Sequence, residues 1–80
     1  MSANEIDQRK LDQDILTAHK MGDGIALVEL YEIAGRLKDV EGDNAAASFL
    51  FTQAYVFGLE TGHPRSPVLK RILAERGCED

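Results

Sequence analysis

Residues 44–61 read NAAASFLFTQAYVFGLET, and the fold turns on how this stretch is taken. Ala45, Ala46, Ala47, Phe49, Leu50, Phe51, Ala54, Tyr55, Val56, Phe57 and Leu59 leave only Ser48, Thr52 and Gln53 as polar interior positions. No useful length of it alternates with period two, so a strand is excluded, and a helix apolar nearly all round is one buried nearly all round. It carries four of the five aromatic residues of the chain, and each can bury about 150–250 Å². The stretch is therefore predicted to be the central helix, with everything else arranged around it.

Upstream, Gly42 and Asp43 stop one helix and cap the next, and the same pair occurs twenty residues earlier as Gly22 and Asp23. Glycine suits the left-handed position after a helix, and an aspartate carboxylate accepts the free amides of the helix that follows. Between the two pairs lies an amphipathic helix predicted over 25–40. Leu27, Leu30, Tyr31, Ala34 and Leu37 form its core face, and Glu29, Glu32, Arg36 and Asp39 its solvated face. Glu32 and Arg36 are an i,i+4 pair in the better orientation. A first helix over 6–21 touches the core through Leu11, Ile15 and Ala18, with Leu16 widening the stripe.

Downstream, Gly62 ends the central helix and 63–67 form a short connection. Ser66 followed by Pro67 reads as a hydroxyl N-cap with proline at the first helical position. Val68, Leu69, Ile72 and Leu73 make the apolar stripe of a last helix ending at Gly77. Lys70, Arg71 and Arg76 lie toward its C-terminal end, where the macrodipole favours cations. The expected fold class is all-α: four short antiparallel helices, a central helix-turn-helix pair and two flanking, capping helices.

Eighty residues leave room for one domain over 1–80, with polar ends at 1–5 and 77–80. Nine Lys and Arg against fourteen Asp and Glu give a net charge of −5, which argues against nucleic acid. The basic residues Arg65, Lys70, Arg71 and Arg76 keep one alternative alive, a small nucleic-acid-associated regulator using the last helix. Cys78 is alone, so no internal disulfide or four-thiolate zinc site is expected. Ser2 to Asp14 is almost wholly polar, unlike a secretory leader, and no apolar run reaches the roughly 20 residues of a membrane span. A cytoplasmic protein with no membrane partner is expected.

Residues 28–61 form a thirty-four-residue unit that resembles a tetratricopeptide repeat. Tyr31 falls at the family's first large aromatic, and Ala34 with Gly35 at its paired large-then-small positions. Gly42 and Asp43 match the inter-helix turn, and Ala47, Phe51 and Ala54 match the small, aromatic and small positions of the second helix. Lys38 departs from the usual tyrosine, and Leu59 from the terminating proline. The unit is also similar to the longer Sel-like repeats. The resemblance implies a protein or peptide ligand on the outer side of the first helix of the pair. That surface is Glu29, Glu32, Arg36 and Asp39, with Lys70 from the last helix joining them.

Chemistry finds little footing. His19, His63, Cys78 and Glu60 share no metal-ligand spacing, and no glycine pattern with a lysine cradles phosphate. No Ser, Thr or Cys has a His and an acid arranged around it for nucleophilic attack. No catalytic, cofactor-binding or metal residue is assigned, and the chain is expected to be no enzyme. The expected function is a protein–protein interaction module. The central helix adds an alternative, because two flanking helices cover only part of it. Phe49, Val56 and Phe57 would then form an apolar interface, either for another protein or for a homodimer.

Overall fold

The computed structural model describes residues 8–77. Within them lie four α-helices in chain order: α1, Gln8–Met21; α2, Gly24–Val40; α3, Asn44–Thr61; and α4, Ser66–Glu75. Each packs against the next, α1 on α2, α2 on α3 and α3 on α4. The all-α architecture has α2 and α3 as its central antiparallel pair. The molecule is a slab of 39 × 31 × 18 Å, so its helices are stacked side by side with little second layer over them.

The turns follow from the sequence. Gly22 and Gly42 have φ of 67° and 85°, the left-handed region where a Cβ is costly. Asp23 and Asp43 then cap α2 and α3, each accepting the amide of the residue three places on at 3.1 Å. Ser66 departs from expectation. Helix α4 already begins at Ser66, its N-cap is Arg65, and no side chain caps it. The Ser66 hydroxyl is buried without a hydrogen-bond partner among the described residues. It nests on α3, where a Cβ at Gly58 would come within 2.6 Å of its Oγ.

The core is built from Val28, Ala47, Phe51, Ala54, Leu69 and Leu73. Gly35 brings α2 close to the Phe51 ring, since a Cβ there would stand 2.9 Å from two ring carbons. Small residues on α2 and α3 thus admit one large ring between the helices. The core face of α2 is shifted from the predicted one: Leu27 and Val28 are buried, whereas Leu30, Tyr31, Ala34 and Leu37 are half-buried. The cause is that α2 has neighbours on two sides, α1 and α3, rather than one. On α1, Leu11 and Ala18 are buried, but Leu16 is exposed and does not widen the stripe. Ile6 and Cys78 lie outside the described residues.

Helix α3 is not covered all round. Ala47, Phe51, Ala54 and Gly58 are buried toward α2 and α4, while Phe49, Val56 and Leu59 are 62%, 42% and 60% exposed.

Candidate interaction surface

Two rows of side chains were singled out from the sequence, and the structure treats them oppositely. In the polar row of α2, Glu29, Arg36 and Asp39 are exposed but Glu32 is buried, and the carboxylates are paired within the chain. Glu32, expected in solvent, is only 7% exposed. Its carboxylate accepts from Arg36 Nε and Nη2 at 3.2 and 2.8 Å. Arg65, from the α3–α4 connection, donates Nε to Glu32 Oε1 at 3.1 Å and Nη2 to Oε2. Burial pushes the Glu32 carboxyl up, but the hydrogen bonds and charges of Arg65 and Arg36 outweigh it and hold the pKa below the ordinary value. The Arg65 guanidinium is raised in turn by its hydrogen bonds to Glu32 and by that carboxylate's charge, against its own partial burial.

The neighbours of Glu32 are engaged in the same way. His63 Nδ1 accepts the backbone N–H of Arg65 at 3.0 Å, which leaves Nε2 to donate to Glu29 Oε2 at 3.3 Å. Arg76, just beyond α4, donates to Asp39 Oδ1 at 2.9 Å, to Ser48 Oγ at 3.0 Å and to the Asn44 carbonyl at 3.1 Å. Its guanidinium also lies over the Phe51 ring, 5.5 Å from the centroid. Positions 29, 32 and 39 of α2 therefore meet positions 63, 65 and 76 in the same order. Helix α4 runs in the direction of α2, and the C-terminal segment lines the row that the family resemblance assigned to a ligand. Lys70 is exposed on α4.

These pairings also bear on the basic residues. Two of the four, Arg65 and Arg76, have their charge answered by carboxylates of α2. Among the described residues, no three His, Cys, Asp or Glu side chains are grouped to hold a metal ion. No helix among them is long and apolar enough to cross a membrane.

Of the three predicted apolar interface residues, Phe57 is drawn into the molecule. It stacks on Tyr31 with centroids 6.0 Å apart and planes 5° from parallel, and His19 meets it edge-on at 5.7 Å. His19 Nε2 and the Tyr31 hydroxyl lie 2.8 Å apart. Phe49 and Val56 remain outside, and Leu59 joins them. With Ala45 and Thr52, both exposed, they form one stripe along α3 at spacings of four, three, four and three. Residues 45–59 contain no charged side chain. The sequence predicts Phe49 and Val56 on this face; Ala45, Thr52 and Leu59 complete it at the same four-three spacing, which a helix apolar nearly all round does not single out.

A shallow groove of about 330 Å³ between α1 and α2 is lined by Ala18, Met21, Ala26, Leu30 and Ile33 together with Asp14, Asp23 and Glu29. Each of these carboxylates already has a partner: Lys10 for Asp14, the Ala26 amide for Asp23 and His63 for Glu29. Large apolar side chains are also exposed at Leu16, Met21, Ile25, Ile33 and Val40, but those of the α3 stripe follow one another along a single helix with no charged residue between them. No protein-family model, curated protein or solved structure matches the chain.

Proposed function

We propose that the chain is a small, non-catalytic protein–protein interaction module, acting in the cytoplasm, that docks its partner on the outer face of α3. Its α2–α3 pair is read as a single tetratricopeptide-like unit with α1 and α4 as caps. The observation that carries the proposal is the uncharged stripe Ala45, Phe49, Thr52, Val56 and Leu59, left in water by an otherwise folded chain. Large apolar side chains forgo roughly 1.5–3 kcal/mol each when left wet, and a contiguous apolar patch of this kind marks an interaction site. The close approach of Gly35 to Phe51 supports the repeat-like reading, since that unit depends on small residues admitting an aromatic between helices.

The proposal departs from the ligand surface that the family resemblance implies. Glu29, Glu32 and Asp39 are matched inside the chain, so a peptide seeking them would first have to displace His63, Arg65 and Arg76.

A two-hybrid screen with two variants tests which face binds. Interactors recovered with the natural chain, itself included, should be lost with Phe49→Asp and Leu59→Asp together. They should be kept with Glu29→Ala and Asp39→Ala together. The opposite pattern would return the binding site to α2.

A further inference from the structure

We infer that the occupant of the α3 stripe is a second copy of this chain, in an antiparallel two-fold contact centred on Thr52. The inference rests on the reading of α3 as the docking face. Under a two-fold axis through Thr52, Ala45 of one copy stands opposite Leu59 of the other, and Phe49 falls within one residue of Val56. The stripe is thus complementary to its own reverse, with its smallest member against a leucine and its largest beside a valine. Isologous contacts require such a pattern, since the same patch must serve both copies. The four-three spacing is that of a helix seam which seats side chains between those of a facing helix.

Three further observations favour a second copy. Thr52 lies at the centre, where a hydroxyl without a partner would oppose burial. Its Oγ1 donates to the Ser48 carbonyl of its own helix at 2.8 Å, so the centre of the seam can dry without orphaning a donor. The chain carries a net charge of −5, and two copies repel across most orientations. Residues 44–59 hold no Asp, Glu, Lys, Arg or His, so this face brings copies together with no like charges in the seam.

The area fixes the strength. Phe49 at 62% exposure withdraws roughly 90–150 Å², given the burial an aromatic can reach. With the other four side chains the stripe amounts to about 400 Å² per copy, half of the roughly 800 Å² per partner of a standard interface. The contact is therefore a weak, reversible dimer whose population follows concentration.

The test combines mass and proximity, both on the full chain. Sedimentation or light scattering with reductant present should give a mass rising from 8.8 kDa toward twice that value as concentration climbs into the millimolar range. Phe49→Asp should weaken the dimer by about a hundredfold or more, since each copy would bury an unpaired charge. In a Cys78→Ser background, a short bis-maleimide should join Thr52→Cys chains. It should not join Ala45→Cys chains, because those positions lie about 21 Å apart along antiparallel helices. Gln13→Cys on α1 controls for collision.

A mass that stays at 8.8 kDa up to millimolar concentration overturns the second copy and leaves α3 as a face for a different protein. A dimer indifferent to Phe49→Asp, with no cross-link at position 52, overturns both the inference and the docking face. Cross-linking at position 45 overturns the antiparallel register.

Discussion

The acidic row of α2 and the apolar stripe of α3 run along neighbouring helices; Glu32 shares the buried side of α2 with Val28 and Gly35, whereas Phe49, Val56 and Leu59 face away from the core contacts of α3. Yet the polar row is the partnered one, with Glu32 buried and Glu29 and Asp39 exposed but paired, and the apolar stripe is the open one. Carboxylates at 29, 32 and 39 are each met by a donor from the returning C-terminal segment. Nothing in the described chain crosses Phe49, Val56 and Leu59. Ion pairs are directional and need a donor at a defined place, which the chain supplies itself. Apolar burial is non-directional, so any complementary apolar surface will serve, and the described chain lays none across the α3 stripe. Solvation therefore depends on what the chain brings across a face, more than on the polarity of the face.

Two phenylalanines two residues apart put that contrast to its largest test. Phe51 fills the space between α2, α3 and α4, and Phe49 stands in water on the same helix. Phe51→Ala should cost about 3–5 kcal/mol, the range for emptying a core aromatic position. Phe49→Ala should change monomer stability by about 0.5 kcal/mol or less. Urea denaturation at dilute protein, where any dimer has dissociated, measures both. Equal losses would mean that the outer face of α3 is covered in the monomer.

Glu32 gives the next largest effect, because it makes the polar row structural. Glu32→Gln should destabilise by about 1–3 kcal/mol, with the lower end favoured because both arginines reach solvent. The pH dependence has a definite sign. A carboxylate whose folded pKa lies below its ordinary value of 4.5 contributes its stability in full above that value. The contribution is lost as pH falls through the lowered folded pKa. The gap between the natural chain and Glu32→Gln should therefore be wide at neutral pH and close in acid. A gap independent of pH would show that the carboxylate's charge is not what holds Arg65.

The sequence made the helices legible because their signals are local. Gly42 and Asp43, like Gly22 and Asp23, act within a few residues, and the caps form as read. The aromatic and small positions of α2 and α3 also announced their packing, since Ala47, Phe51 and Ala54 are buried together. What stayed hidden depends on long-range partners. A helical wheel assigns Glu32 to solvent, and only Arg65, thirty-three residues away, reverses that. Ser66 carried the signature of a cap, but packing on Gly58 leaves its hydroxyl turned to α3. Phe57 looked as free as Phe49 until Tyr31 and His19 enclosed it. In each case the local rule was sound and a tertiary neighbour outweighed it.

The smallest test separates two partners within one ion pair. Arg76 and Asp39 bond at 2.9 Å, yet their surroundings differ, the arginine side chain being 17% exposed and the aspartate 49%. Removing the aspartate leaves Arg76 its bonds to Ser48 and the Asn44 carbonyl and its seat over Phe51. Asp39→Ala should therefore cost only about 0.2–0.5 kcal/mol, as an exposed pair does. Arg76→Ala removes all four contacts together with the packing of its stem on the core, and should cost about 1–2 kcal/mol. Thermal melts of the two variants and the natural chain at one ionic strength make the comparison. Higher salt should shrink the effect of Asp39→Ala and leave most of the effect of Arg76→Ala, because dispersion and burial are not screened. Were both losses equally sensitive to salt, charge alone would hold the end of α4 to α2, and the partnered row would be an electrostatic latch rather than a packed seam.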